Sequence, residues 1–431
     1  MKGKLFFLTA VMFLSIVPST AYAEQKCAEE GFASIFNGKD LTGWDCDERY
    51  WSVENGAIVG QSTKENPLKH NTFCIWQPGE PENFILKLKF RISNGNSGVQ
   101  YRSEVVGKWK VAGCQAEIDN KLGDVGEMYG EKTRKHLLPR CGEFAVLNEA
   151  GEKIIKGKVA DEEWLEKGEY YKPGQWNEYT IAARGNHIIQ FINGFGTAEL
   201  IDGDKNRQHR GVLALQMHGG GSMKVEFRDI KLKELDNKYG DAEVLFNGED
   251  LEGWKYSGDN QKDVWSVRDG AIYDAGSPWG YIRTEKQFTN FILHLQYRHL
   301  SRGNGGVLMR INEADEPSPD SSKVVWPMAI EAQGAYGNVG DIIAMGEFPM
   351  KTAKERRTNR RTRKLYESNE REIGQWNAYE ITLDGEDLEI RVNRLLQNRA
   401  SECSEVNGAI GLQSEGGKME FRNIVLTPIE K

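Results

Sequence analysis

One short segment of the sequence carries polar side chains at every second position. Gln115, Glu117 and Asp119 alternate with Ala116 and Ile118. Residues two apart in a β-strand point to the same face, so the three polar groups would share a face. On a binding sheet this face would meet substrate, and a carboxylate there could act as a base. The alternative from the pattern alone is a strand face exposed to water.

Other groups that could take part in chemistry lie in two further segments. His218, in LQMHGGG, titrates near neutral pH and could serve as a base or a metal ligand. A structural histidine is its alternative. Tyr129, Glu131 and Arg134, in MYGEKTRKHLL, lie in a predicted loop, where functional residues are common. Loop packing and solvation are the alternative for all three.

The sequence segments around these residues occur twice along the chain. The segments 35–44, 51–58, 96–102 and 175–181 recur in the same order at 245–254, 265–272, 304–310 and 375–381. The offset of about 200 residues is far longer than that of a short-period solenoid. The sequence therefore predicts two tandem copies of one domain, over residues 31–236 and 241–429.

Within each copy the pattern is that of strands and turns. FILKLKF (84–90) and VEFRDIKLKEL (225–235) alternate apolar and polar residues, and Asn193-Gly194 is a hairpin turn signal. One short helix is predicted over 161–168. A chain of 431 residues suits two domains, so we predict an all-β protein of two jelly-roll sandwiches. The net charge of −8 argues against nucleic-acid binding.

The start of the chain reads as a signal peptide over residues 1–23, with two lysines, an apolar run and an Ala-Tyr-Ala cleavage site. No later segment is apolar enough to span a bilayer. We therefore expect an exported protein, periplasmic or extracellular. Export permits disulfides among the six cysteines, whose spacings match no zinc motif. At least one disulfide is expected in the first copy, with Cys114 and Cys141 as a candidate pair.

The repeated motifs carry a resemblance to a known family. FNGKDLTGW, WSVENGAI, NSGVQYR, GCQAEID, QWNEYTI and LQMHGGG followed by EFRDIKL resemble the 3-keto-disaccharide hydrolase family. The resemblance covers nearly all of the chain after residue 23, once per copy. It implies a concanavalin-A-like β-sandwich with a concave sheet. It also implies hydrolysis or lyase-type cleavage of glycosides that carry a ketone at carbon 3 of the sugar.

The two copies match the family unequally. Glu415 stands in the second copy where the first has His218, and Gly305 where the first has Ser97. We therefore expect the chemistry in the first copy. The ketone acidifies the proton on carbon 2, so its removal gives an enolate that can expel the group on carbon 1, and water can then add.

This route assigns roles to residues of the first copy. His218 or Glu117 would remove the proton, Arg102 would stabilise the enolate oxygen, and Tyr129 would donate to the leaving oxygen. A surface ion pair is the alternative for Arg102. The residues expected to bind the substrate are Gln115, Asp119, Asn96, Trp109, Glu131, Arg134 and Gln216.

Several alternatives stay open at the level of sequence. Trp109 and Trp326 each precede a polar strand and could stack on a sugar ring or simply pack at an edge. No cofactor follows from the sequence, and a divalent metal at His218 remains an alternative. The basic run 354–364 is either a solvated loop or a contact for an acidic glycan. The protein as a whole could instead be a non-catalytic carbohydrate-binding sandwich or a structural scaffold.

Overall fold

A computed structural model describes residues 31–236, 238–312 and 326–430. The predicted signal peptide and Cys27 lie outside these residues. No helix in the described ranges is both long and apolar enough to cross a membrane.

The first copy is built from sixteen strands and a short helix. The helix α1 spans Glu162–Lys167 and ends at Gly168, whose φ of 64° is the left-handed conformation that glycine adopts readily. This confirms the short helix predicted at 161–168. The strands are β1 (Ala33–Ser34), β2 (Trp44–Asp45), β3 (Trp51–Glu54), β4 (Ala57–Ser62), β5 (Thr72–Trp76), β6 (Phe84–Asn94), β7 (Asn96–Gly107), β8 (Lys110–Asp119), β9 (Met128–Glu131), β10 (Glu143–Leu147), β11 (Lys153–Lys158), β12 (Asn177–Arg184), β13 (His187–Ile192), β14 (Phe195–Asp202), β15 (Val212–Met217) and β16 (Met223–Glu234).

These strands form two sheets. A ten-stranded sheet runs in the order β11-β10-β14-β13-β12-β6-β16-β4-β3, with β1 added on β16. A six-stranded sheet runs β2-β5-β15-β7-β8-β9. The turn between β13 and β14 is Asn193-Gly194, with φ of 50° and 83°, as the hairpin signal predicts.

The core of the first copy lies between these two sheets. On β6 the apolar residues Phe84, Leu86, Leu88 and Phe90 are at most 2% exposed, and the lysines between them are half-buried. From the six-stranded sheet, residues such as Tyr101, Ala116 and Ile118 join the same cluster. The alternation therefore fixes which side chains of β7 and β8 point outward, away from the core.

The second copy repeats this arrangement. Its strands are β17 (Glu243–Val244), β18 (Trp254–Tyr256), β19 (Trp265–Arg268), β20 (Ala271–Asp274), β21 (Gly280–Thr284), β22 (Phe291–His299), β23 (Asn304–Ile311), β24 (Ala329–Gln333), β25 (Ile342–Met345), β26 (Arg357–Thr358), β27 (Arg361–Thr362), β28 (Asn377–Asp384), β29 (Asp387–Val392), β30 (Leu395–Ala400), β31 (Ala409–Glu415) and β32 (Met419–Pro428). Short 3₁₀ turns lie at Asp259–Gln261 and Lys354–Arg356.

The sheet orders of the second copy are β19-β20-β32-β22-β28-β29-β30, with β17 on β32, and β18-β21-β31-β23-β24-β25-β27-β26. Strands at equivalent places in the repeat occupy equivalent places in these sheets. The first copy differs by adding β10 and β11 at an edge, and the second by adding β26 and β27. The all-β prediction of two tandem jelly-roll sandwiches is confirmed.

The two copies pack against each other through the ten-stranded sheet of the first copy and the sheet of the second copy that contains β22 and β28. Gln296 on β22 donates from Nε2 to the carbonyl of Val159 at 2.9 Å. The partly buried Arg184 on β12 pairs with Glu380 on β28 at 3.0 Å, which lowers the pKa of Glu380 to about 2 although burial opposes this. The six-stranded sheet of the first copy and the β18–β26 sheet of the second therefore lie on the two outer sides.

The cysteines confirm one disulfide prediction and correct another. Cys46 and Cys74 form a disulfide in the first copy. Cys114 and Cys141 are free, so their predicted pairing is wrong. Cys114 faces the core of the sandwich, where Arg134 donates to its sulfur at 3.5 Å, whereas the Cys141 thiol lies 3.6 Å from the hydroxyl of Tyr170.

Candidate active site

A cluster of amide and carboxyl groups covers the outer face of the six-stranded sheet. Its centre is Glu117 on β8, which is only 6% exposed. Asn96, at the start of β7, donates from Nδ2 to Glu117 Oε1 and to Asp119 Oδ2, the latter at 3.3 Å. Gln115 donates from Nε2 to the other oxygen of Glu117. The predicted shared face of Gln115, Glu117 and Asp119 is therefore real, but it is largely buried.

Further amides hold Gln115 in place. Its Oε1 accepts a hydrogen bond from Gln100 Nε2, and its Nε2 also donates to Gln216 Oε1 at 3.3 Å. Gly98 lies on the neighbouring strand, where a Cβ atom would come within 2.5 Å of the Gln115 side chain. The glycine of NSGVQYR is thus required for the amide of Gln115 to lie flat across the sheet.

Burial sets the protonation of this site. It raises the pKa of Glu117 to about 8, outweighing the hydrogen bonds from Asn96 and Gln115 that favour the charged form. The nearby charges of Glu127 and Asp119 act in the same direction as burial. A carboxyl group with such a pKa is mostly protonated at pH 7, and its ionised fraction is a stronger base than an ordinary carboxylate.

Strand β9 adds two of the predicted residues to the cluster. Tyr129 pairs with Gln115 across the sheet, and burial together with the charges of Glu131 and Glu117 raises its pKa. Glu131 is 8% exposed and accepts a hydrogen bond from Gln216 Nε2 at 3.4 Å. Burial raises the pKa of Glu131, and the charge of His218 and a hydrogen bond from Asn71 oppose this.

His218 lies at the rim of the cluster. It is exposed, directly after the end of β15, and its backbone N–H donates to the carbonyl of Asn96 at 3.4 Å. Its imidazole is close enough to Glu131 for its charge to lower the pKa of that carboxyl group. His218 therefore lies at the edge of one cluster. The other seven predicted residues of this cluster are Asn96, Gln115, Glu117, Asp119, Tyr129, Glu131 and Gln216.

Four residues of the neighbourhood were not predicted: Asn71, Gln100, Glu127 and His136. Glu127 is 2% exposed, and burial raises its pKa to about 7. The Nδ1 of His136 lies 3.5 Å from Glu127 Oε1, and its ring meets the Tyr129 ring edge-on at 5.0 Å. Gln100 could have been found from the alternation Asn96, Gly98, Gln100. His136 stands in the same MYGEKTRKHLL segment as Tyr129, but nothing in its spacing marks it.

Arg102 lies outside the cluster, so its predicted role at an enolate oxygen is not supported. A bulge follows Tyr101, and Arg102 has a φ of 44°. Its buried guanidinium turns away from the outer face and donates to the carbonyl of Glu82 at 2.9 and 2.7 Å. The equivalent Arg310 has a φ of 55° and likewise donates to backbone carbonyls, including that of Thr289. The arginine is thus a structural feature of both copies.

Two predicted substrate-binding residues also lie elsewhere. Arg134 forms an ion pair with Asp202 at 2.7 Å. Trp109 lies in the turn between β7 and β8, at the opposite end of β8 from Glu117 and roughly 25 Å along the strand from it. Its indole nitrogen donates to Asp45 at 2.8 Å.

The described residues contain no group of three or more His, Cys, Asp or Glu side chains placed to hold a metal ion. The chemistry that the cluster can supply with its own side chains is proton transfer. A buried carboxyl group, a phenol and an imidazole surround a set of amide donors.

The fold and this face define a β-sandwich protein with a buried cluster of amide and carboxyl groups on an outer sheet. The family model described as the 3-keto-alpha-glucoside-1,2-lyase-like domain matches residues 31–233 and again 241–427. The chain therefore belongs to this carbohydrate-active family and carries its domain twice. The comparison with curated proteins found no match.

Three solved structures are each similar to less than half of the chain. A proposed glycosyl hydrolase from Parabacteroides distasonis is 20% identical, with 44% of this chain and 94% of that chain covered and a TM-score of 0.32. The carbohydrate-binding module CBM66 from Bacillus subtilis is 11% identical, with 40% and 93% covered and a TM-score of 0.30. A β-glucanase from Bacillus licheniformis is 8% identical, with 45% and 99% covered and a TM-score of 0.32.

Proposed function

We propose that the first copy cleaves 3-keto-glycosides by removing the proton on carbon 2 and eliminating the group on carbon 1. The observation that carries the proposal is Glu117, a buried carboxyl group with a pKa of about 8 at the centre of the cluster. An ordinary glycoside has no acidified proton at carbon 2. The ketone at carbon 3 brings that proton within reach of a side-chain base of this strength.

The reaction balances without any other reactant than water. The base takes the proton from carbon 2, and the electron pair forms an enolate with the oxygen on carbon 3. The carbon–oxygen bond at carbon 1 then breaks, which leaves a double bond between carbons 1 and 2, and the leaving oxygen takes up a proton. Addition of water across that double bond returns a 3-keto sugar, so the net result is hydrolysis.

The described residues divide these tasks among themselves. Glu117 is the base, with exposed His218 as the alternative at the rim. Because Arg102 lies elsewhere, a donor available to the enolate oxygen is the side-chain amide of Gln216, which uses one of its two N–H groups on Glu131. Tyr129, a phenol that lies opposite Gln115 across the sheet, donates to the leaving oxygen.

The test compares a 3-keto-glucoside with the same glucoside before oxidation. We expect release of the aglycone from the keto form only, and deuterium from solvent at carbon 2 of recovered sugar. Glu117→Gln or His218→Ala should lower kcat/KM by roughly 10²–10⁴. Glu54→Gln, the same change at an exposed position on β3, is the matched control and should have no effect.

Two outcomes would overturn the proposal. Equal turnover of the unoxidised glucoside would point to an ordinary glycosidase. Binding of the keto-glucoside without any turnover would leave a carbohydrate-binding protein.

We also propose that the protein acts outside the cytoplasm. The signal-peptide pattern of residues 1–23 and the disulfide between Cys46 and Cys74 support export, since disulfides persist in oxidising compartments. Cell fractionation of the producing organism tests this, and recovery of the full-length chain in the cytoplasm would contradict it.

A further inference from the structure

The second copy carries a differently composed cluster at the equivalent place. Glu331 on β24 pairs with Leu308, and Gln333 pairs with Gly306. In the first copy the corresponding pairs are Gln115 with Gln100 and Glu117 with Gly98. The carboxyl and amide groups have therefore exchanged positions, which moves the carboxyl group two residues, or about 7 Å, along the strand.

The proton-transfer groups of the first copy are replaced. From the pairing of β24 with β25, Ile343 stands at the position of Tyr129, and Glu415 stands at the position of His218. The amides persist: Asn304 and Gln413 occupy the places of Asn96 and Gln216. The other difference noted in the sequence, Gly305 for Ser97, lies on the core side, where a Cβ atom would meet the sulfur of Met419 at 2.6 Å.

The cluster of the second copy lines a cavity of 130 Å³ on the outer sheet. Its members there are Asn304, Glu331, Gln333, Ile343, Gln413 and Glu415. One wall is the half-buried indole of Trp326, stacked on the Tyr281 ring at 6.3 Å with 24° between the planes. The floor holds Glu331, which is 2% exposed, beside Gln413. Arg360, at the turn between β26 and β27, lines the same cavity, and these two strands belong to the second copy alone.

The cavity places Glu415 and Arg360, side chains of opposite charge, beside Glu331. Burial raises the pKa of Glu331 to about 8, so this carboxyl group is mostly neutral and can donate a hydrogen bond. Glu415 accepts a hydrogen bond from Asn304 and lies close enough to Arg360 for that charge to lower its pKa, although burial raises it overall. The ligand that fits is thus uncharged, rich in hydroxyl groups and flat enough on one face to meet an indole.

We propose that this cavity is a second, non-catalytic site that binds a unit of a neutral saccharide. It does not depend on the function proposed for the first copy. Hydroxyl groups of the sugar pair with Glu331, Gln413 and Arg360, and the apolar face of the ring stacks on Trp326. The site lacks the phenol and the imidazole of the first copy, so it holds the sugar without cleaving it.

The test measures binding of unoxidised sugars by the full chain. Glucose, a neutral gluco-disaccharide and glucuronate are titrated by ligand-observed NMR into the wild type, Trp326→Ala and Glu331→Gln. We expect the neutral sugars to bind, and each substitution to weaken their binding at least fivefold. Trp109→Ala, the removal of an indole far from both clusters, is the matched control and should leave binding unchanged.

The outcomes separate the two proposals. Turnover of a 3-keto-glucoside by the first copy should be the same in Trp326→Ala as in the wild type. If the wild type does not turn over the 3-keto-glucoside, the proposed enzymatic function is wrong, but the proposed binding site is unaffected. Unchanged binding in both variants, or tighter binding of glucuronate than of the neutral sugars, would overturn the inference. Because Glu331→Gln preserves the shape of the side chain, it remains informative if Trp326→Ala fails to fold.

Discussion

The substitution Glu117→Gln tests the buried carboxyl group through stability, without any substrate. The pKa of Glu117 is about 8 in the folded protein, whereas its ordinary value is 4.5. Between these pH values the unfolded chain has released a proton that the folded protein still holds. The contribution of the Glu117 proton to the free energy of unfolding is therefore fully present below pH 4.5 and is lost as the pH rises to about 8.

The magnitude follows from the difference between the two pKa values. About 8 minus 4.5 is about 3.5, and each pKa unit corresponds to about 1.4 kcal/mol. The upper limit of the effect is thus about 5 kcal/mol of unfolding free energy above pH 8. Glutamine keeps the shape of the side chain but cannot ionise, so the variant lacks this dependence on pH.

The assay is urea unfolding of the wild type and Glu117→Gln at pH 5, 6.5 and 8. The unfolding free energy of the variant, minus that of the wild type, should grow with pH by about 1 kcal/mol per unit. Glu331 titrates in both proteins, so its contribution cancels in the difference. Glu54→Gln, at its exposed position, should show no such trend.

A difference that stays constant within about 0.5 kcal/mol from pH 5 to pH 8 would refute the reasoning. It would mean that the hydrogen bonds from Asn96 and Gln115 offset the cost of burial completely. Glu117 would then be an ordinary carboxylate at neutral pH, and a weak base.

Four further results are expected. If Glu117 is the base, kcat/KM should rise about tenfold per pH unit and level off near pH 8, whereas a fall over this range would make Glu117 the proton donor. Arg102→Ala should lower the free energy of unfolding by roughly 1–3 kcal/mol because the Glu82 carbonyl loses its donors, and a large loss of kcat at unchanged stability would contradict the structural role. Reduction of the disulfide between Cys46 and Cys74 should cost roughly 2–4 kcal/mol, and mass spectrometry that finds every thiol free under oxidising conditions would exclude the bridge. Separately expressed copies should show turnover in the first, and activity confined to the second would reverse the assignment.

The fold was accessible from the sequence because its signals are local and repeated. The alternation in FILKLKF fixes which side of β6 faces the core, and Asn193-Gly194 fixes a turn. The same rule placed Gln115, Glu117 and Asp119 on one face. The alternation could not predict how deeply that face is buried. Burial depends on the amides of neighbouring strands, which are distant in sequence.

The residues placed wrongly share a physical cause. Alternation alone would put Arg102 on the same side as Gln100, but the bulge after Tyr101 turns its side chain away. Arg134 is held by Asp202, which comes from a strand of the other sheet. The pairing of Cys46 with Cys74 likewise depends on where β2 meets β5. Bulges and long-range contacts leave no periodic trace in a sequence.

The packing of the two copies has a consequence for how the protein would meet a polymer. Four layers of sheet, each about 10 Å from the next, separate the outer face of the first copy from that of the second by roughly 30 Å. The two faces point in opposite directions, so a short oligosaccharide cannot occupy both at once. Simultaneous occupancy requires two separate strands of glycan or one strand long enough to wrap around the molecule. If both faces bind saccharide as proposed, the protein would cross-link neighbouring glycan chains, and its avidity for a dense glycan surface would exceed its affinity for a free fragment.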